Sequence, residues 1–218
     1  MAIDKSHTSP LMKGIIIFIA LTFVVSIGGV AGLSSCSAIN QAAQQTPQTP
    51  ASTSGTATVE ALSLQFTPVI KAVEASLTAD PKNYDLLLKQ AESYFSWAAQ
   101  VQQATQSTNP GQDAPIWKAA ATYYARALAV KSTDAVTMGD YAVSLFYSDE
   151  TTAAISMGEK ARVTDPQLAQ NLFNLGNFYW KAGDKVKAKA AYESYLTVAP
   201  TGELAKAAKD NIAALAQP

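Results

Sequence analysis

Apolar residues in the C-terminal three-quarters of this chain recur at helical spacing, and the spacing itself repeats. Met138, Tyr141 and Leu145 stand three and four residues apart, and Leu172, Leu175 and Tyr179 take the same offsets thirty-four residues later. Steps of three and four put side chains on one face of a helix, so each run predicts a helix with one apolar side. Behind these runs come Ala154, Ala161 and Pro166, answered at the same offset of 34 by Ala188, Tyr195 and Pro200. A period of that length predicts stacked helical hairpins that hide their apolar sides on one another.

The clearest unit spans 169–202. Leu172, Leu175, Gly176 and Tyr179 form its first stripe, and Gly183-Asp184 supplies a turn. Ala188, Ala191, Tyr192 and Tyr195 face inward from its second helix, and Pro200 closes it. Gly176, lacking a Cβ, is expected to let a neighbouring backbone come close. The unit before it, 135–168, uses Met138, Tyr141, Ala142 and Leu145, then Asp149-Glu150 as turn, then Ala154 and Ala161 before Asp165-Pro166. A third unit, about 84–134, is interrupted. Leu87, Ala91 and Tyr94 open it, but Ala120, Tyr124 and Ala127 arrive seventeen residues late, after a longer helix through Trp97 and a turn at Asn109-Pro110-Gly111. From Pro81 to Ser132 the separation is 51, one period plus the insertion, so the register resumes without slippage. Helices near 59–77 and 203–216 are expected to cap the two ends.

The last unit resembles a tetratricopeptide repeat. The family pattern W-x2-L-G-x2-Y, then A-x3-F and a closing Pro, is met with Leu172 in place of Trp and Tyr192 in place of Phe. The resemblance implies an all-α fold, a short right-handed superhelical solenoid of hairpins with capping helices, over 59–218. It also implies that the first helix of each hairpin lines a concave groove for a protein or peptide partner. Carried onto this sequence, the groove candidates are Phe95, Val143, Phe146, Tyr147, Phe173, Asn177 and Trp180. Two departures carry expectations of their own. Gly158 stands where the family prefers an aromatic and is expected to cost helix stability. Tyr195 stands where the family usually has Ala and is expected to loosen the packing there. One subclass grips C-terminal carboxylates with Lys, Asn and Arg. Its basic positions here hold Leu88, Gln170 and Asn174, with Glu92 and Asp140 at its Asn positions, and two acids would repel a carboxylate.

Charge separates this body from what precedes it. From Gly14 to Val59 there is no Lys, Arg, Asp or Glu. Residues 14–33, an apolar run of twenty, would span roughly 30 Å as a helix, the thickness of a bilayer core. Lys5 and Lys13 lie only on its N-terminal side, which predicts a cytoplasmic tail at 1–13 and an extracytoplasmic C-terminal domain. Leu33-Ser34-Ser35-Cys36 resembles a bacterial lipobox, making Cys36 a candidate lipid-attachment site; the length of the run instead suits a retained anchor. Both end in a tethered domain. Residues 34–58 are mostly Ala, Gln, Ser, Thr and Pro, a composition expected to form a disordered spacer.

Chemistry narrows the function by default. His7 is the only histidine and Cys36 the only cysteine, so the domain cannot assemble a nucleophile–histidine arrangement or a zinc site, and no cofactor is expected. A net charge of −1 gives no basic stripe for nucleic acid. No small-molecule substrate is expected either. The expected class is a non-enzymatic, membrane-tethered scaffold for protein partners, whose layout resembles bacterial accessory subunits of secretion and envelope assembly. The alternatives are a holdase-like chaperone for unfolded clients and a self-associating structural element.

Overall fold

The computed structural model describes residues 55–106 and 110–217; the apolar run 14–33, Cys36 and residues 34–54 lie outside that range. Eight helices and no strand occur among the described residues. They are α1 (Gly55–Ala79), α2 (Tyr84–Thr105), α3 (Ala114–Val130), α4 (Ala135–Tyr147), α5 (Thr151–Thr164), α6 (Ala169–Lys181), α7 (Lys185–Val198) and α8 (Ala205–Leu215). Each helix packs on its neighbours in the chain, and α4 also touches α6. Sequential packing of this kind is what a solenoid of hairpins requires.

The period seen in the side chains is also written in the backbone. The N–H groups of Lys131, Asp165 and Ala199 close α3, α5 and α7 on the carbonyls of Ala127, Ala161 and Tyr195, at 2.9, 2.8 and 2.8 Å. Within the hairpins, the Glu150 N–H reaches back to the Leu145 carbonyl and the Asp184 N–H to that of Tyr179, both at 2.9 Å. That six-to-one bond needs a left-handed residue between helix and turn. Gly183 supplies it at φ +82°, whereas Asp149 adopts φ +65° with a side chain attached. Helix starts are fixed by side chains: Asn83, Asp134 and Asp184 accept from the N–H groups of Leu86, Thr137 and Lys187 at 3.0–3.1 Å.

Small residues set how closely hairpins approach. Ala91, Ala120, Ala127, Ala142, Ala154, Ala161 and Ala188 are all fully buried. Gly176 is likewise a contact point, but its neighbour is a ring rather than a backbone. A Cβ added there would collide with the Tyr192 ring, 2.7 Å from its Cζ. Gly158 also has a packing role: its carbonyl accepts from Asn171 Nδ2 at 2.8 Å, and an added Cβ would come within 2.9 Å of Leu175 Cδ2. The aromatic expected at 158 would have no space. Tyr195 does not loosen its surroundings. It is buried edge-on against Phe173 with centroids 5.6 Å apart, and its hydroxyl accepts from the Leu204 N–H at 3.1 Å. That bond ties the last hairpin to the turn before α8.

The capping helices behave as expected from their stripes. α1 buries Phe66, Ile70, Val73 and Leu77 at helical spacing against α2, despite Pro68 inside it, which lies on the exposed side. α8 buries Ala205, Ala208, Asn211 and Leu215 and leaves Lys206, Lys209 and Asp210 in solvent.

Candidate functional site

The first helices of the hairpins, α2, α4 and α6, form the row on which a groove would be built. Their starts are bonded side to side: the Tyr84 hydroxyl on α2 donates to Asp134 at 3.0 Å and lies 3.0 Å from the Thr137 hydroxyl on α4. The row is not equally open along its length. On α6, nine consecutive residues from Asn171 to Tyr179 are buried, because α4, α5 and α7 enclose it. On α2 and α4, Asp85, Glu92 and Val136 are exposed, and Leu88, Phe95, Asp140 and Tyr147 keep part of their surface.

This distribution divides the sequence-derived candidates. Phe173 is fully buried, edge-on to Tyr192 at 5.4 Å, and offers no surface to a guest. Val143 and Phe146 are also core residues, the latter packed on Phe178 at 4.7 Å with Lys181 Nζ over its ring at 5.0 Å. Asn177 is buried because it accepts from the Tyr192 hydroxyl at 2.6 Å, a structural task. Asn211 of α8 lies beside the same hydroxyl, though its amide nitrogen falls outside hydrogen-bond geometry. Phe95, Tyr147 and Trp180 remain half-buried and reachable.

An aromatic chain underlies the open part of the row. Tyr124, Phe95, Trp117, Tyr147, Phe146 and Phe178 follow one another with centroid separations of 6.3, 4.8, 4.8, 5.4 and 4.7 Å. Edge-to-face and offset contacts at these distances add to the stabilisation from burial alone. Trp117 lies just past the insertion and off the repeat stripe; as a tryptophan flanking the break it is expected to pin that loop to the solenoid, and it is fully buried. Its indole N–H donates to Asp113 at 2.9 Å, so the inserted turn is fastened to the hairpin as its ring joins α4. Trp97 faces the other way, stacking on Phe66 of α1 at 6.2 Å.

Electrostatically the open face is acidic. Glu92 on α2 disfavours the charge of Asp140 on α4. The Asp140 carboxyl is pushed up to about 7, first by burial and then by Glu92 and Asp134. Glu92 is raised by partial desolvation from the atoms packed around it, although the residue keeps contact with solvent. Tyr124, beneath them, is raised by burial and then by both carboxylates. Glu92 also borders an open cleft of about 260 Å³ between α1 and α2, with Phe66 and Val69 on one side and Lys89, Ser93 and Ser96 on the other. Among the described residues no helix is long and apolar enough to cross a membrane, and no group of three His, Cys, Asp or Glu side chains is placed to hold a metal.

No protein-family model matches the chain, and no curated protein is significantly similar to it. Solved structures are. A crystal structure of MamA superposes with a TM-score of 0.53 at 22% identity, covering 69% of this chain and 86% of that one. A second MamA structure gives 0.53 at 22%, over 74% and 86%. The fold is the tetratricopeptide-repeat solenoid. Weaker likenesses extend to the Sgt2 TPR domain from Aspergillus fumigatus, at 20% identity, a TM-score of 0.45, and 58% and 76% coverage. They also include YrrB, described as a TPR protein with an unusual peptide-binding site, at 17%, 0.42, and 70% and 88%.

Proposed function

We propose that this chain is a membrane-tethered scaffold that holds a segment of a protein partner against the open face of α2 and α4. The observation that carries the reading is the partial exposure of Phe95, Tyr147 and Trp180 along the row of first helices, beside Phe146, Phe173 and Phe178, which are locked in the core. A rigid aromatic floor with a few reachable rings suits the anchor residues of an amphipathic or extended segment. Catalysis has no support in the side chains available, and the domain's role is to bind.

The tether is residues 14–33, with Cys36 as the lipid-attachment site if the run is cleaved. The domain then stands on the extracytoplasmic side, where envelope assembly or secretion would supply partners. Fatty-acid labelling of wild type and Cys36→Ser in cells separates the two anchors: label lost in the variant means a lipoprotein, and no label in either means a retained helix.

Chemical crosslinking in cells, followed by purification of the full chain, tests the binding face. Val136 on α4 is 57% exposed, so Val136→Arg alters the face without touching the core. A discrete partner captured by wild type and lost from Val136→Arg and Trp180→Ala supports the scaffold. An unchanged partner set in both variants removes the groove. Suppression of aggregation of unrelated denatured proteins by the purified chain, with no discrete partner, would favour a holdase instead.

A further inference from the structure

The α1–α2 cleft is built from positions that seat a helix elsewhere in this fold. A step of 85 residues carries Asp80-Pro81 to Asp165-Pro166, and Leu87 and Tyr94 to Leu172 and Tyr179, so α1 and α2 correspond to α5 and α6. The same step carries the cleft residues Gln65, Val69, Ser93 and Ser96 to Glu150, Ala154, Phe178 and Lys181. Those four positions hold the end of α4. The Glu150 N–H bonds the Leu145 carbonyl, Ala154 is fully buried, Phe178 packs on Phe146, and Lys181 pairs with Asp149. The cleft is therefore the seat of a first helix, and α1 is the second helix of a hairpin whose first is absent among the described residues. Val69, at the position of Ala154, is 46% exposed for that reason.

At the other end the case is reversed. α8 follows the last hairpin where a first helix is due, and it packs chiefly on α7. Away from its buried stripe it exposes Lys209, Ala213 and Ala216. We propose that a second copy of this chain fills the α1–α2 cleft: α8 of one copy lies along α1 of the next, completes a hairpin between them and continues the row head to tail. The joint lies at the ends of the row and stands independently of the groove reading.

Three observations select this occupant. The first is size. Within the complete hairpins the first helices supply bulk, Phe146 and Phe173, and the second helices supply Ala154 and Ala188. At the joint the roles are exchanged, with Val69 on the second helix and Ala213 and Ala216 on the first, so large still meets small. The second is charge. Residues 55–150 carry ten Asp and Glu against six Lys and Arg, whereas 151–218 carry eight Lys and Arg against six Asp and Glu. Unlike ends attract, and a pairing of two α1 ends would bring like charges together. The third is what the chain itself can offer. α1 runs as helix straight through Leu64 and Gln65, the positions of the Asp149-Glu150 turn, back to Gly55. It thus leaves the cleft about 15 Å behind before its first residue. Residues 34–54 contain Ile39 as their one large aliphatic side chain, and Pro47 and Pro50 oppose a helix there.

The test is sedimentation velocity of the full chain in mild detergent across a dilution series, with wild type, Val69→Arg, Ala213→Arg and an equimolar mixture of the two variants. Both side chains are exposed, so neither change enters the core. Wild type is expected to form oligomers that grow with concentration. Each variant alone should associate at least about tenfold more weakly. The mixture should form dimers as readily as wild type and nothing larger, because Val69→Arg keeps a working α8 end and Ala213→Arg a working α1 end. Circular dichroism checks that both variants fold, with Val69→Ser and Ala213→Lys to take their place if one does not. A wild type that stays monomeric at every concentration would overturn the joint, as would a mixture of folded variants no more associated than its parts. Oligomers undiminished in both variants would place association on another surface and overturn it. Association of Ala213→Arg equal to wild type, with none by Val69→Arg, would pair α1 with α1 and overturn the head-to-tail arrangement.

Discussion

The indole of Trp117 stacks on the ring of Tyr147 with centroids 4.8 Å apart and planes 21° from parallel. One ring comes from the start of α3, just past the insertion, and the other from the last residue of α4. Trp117 therefore clamps the first hairpin onto the end of the second. Trp117 is fully buried, so Trp117→Ala should cost about 3–5 kcal/mol in denaturant unfolding. Trp117→Phe should recover much of that, short of the bond to Asp113. A loss under 1 kcal/mol in Trp117→Ala would mean that the insertion is not packed as described.

Gly176 and Gly158 look alike in sequence, eighteen residues apart, yet they should respond differently to a methyl group. At Gly176 the obstacle is the rigid ring of Tyr192, itself held by Asn177. At Gly158 it is the end of the flexible Leu175 side chain. Gly176→Ala should destabilise by about 1–3 kcal/mol through overpacking. In Gly158→Ala the gain in helix propensity, about 1 kcal/mol, should largely offset a small shift of Leu175. Equal effects in thermal melts would contradict this geometry.

The two hairpin turns offer a matched pair. Gly183 and Asp149 occupy the same left-handed position one period apart. Gly183→Ala should cost about 1 kcal/mol, the penalty of a Cβ in that region. Asp149→Gly should raise the melting temperature, because the strain relieved exceeds what an exposed ion pair to Lys181 contributes. A lower melting temperature for Asp149→Gly would show that the pair matters more than the backbone.

Asp140 makes stability depend on pH with a definite sign. Its carboxyl is raised in the folded state to about 7, so the fold binds that proton more tightly than the unfolded chain does. The stability it contributes is complete below the ordinary carboxylate range near 4 and is lost as pH rises through about 7. Glu92, Asp134 and Tyr124 are the titratable groups facing it, and none is a cation. Asp140→Asn should therefore melt about 2–4 °C higher than wild type at pH 8 and no higher at pH 4. A stabilisation of equal size at both pH values would contradict the shift.

Much of the hairpin register was legible because steric rules leave marks in single residues. Ala154 and Ala188 report close approach, and Gly183 a turn. The site was less legible, and α6 shows why. Its stripe of Leu172, Leu175 and Tyr179 predicts one buried face, but an interior first helix meets neighbours on several sides. Phe173, Asn174 and Asn177 are buried with the stripe. Hydrophobic periodicity cannot tell a ring on a groove wall from a ring between hairpins. The influence of Glu92 on the charge of Asp140 depends on how two helices lie side by side, and forty-eight residues of sequence separate them.

Site-specific photo-crosslinking in living cells tests most directly whether the face of first helices is where this chain works. A photoreactive residue would be placed in turn at Val136 and Trp180, and as controls at Val163 and Val186, which are 76% and 81% exposed on the second helices α5 and α7. A discrete adduct from 136 and 180, absent from 163 and 186, is the predicted result. Adducts only from 163 or 186 would place the binding surface on the opposite side and contradict the account.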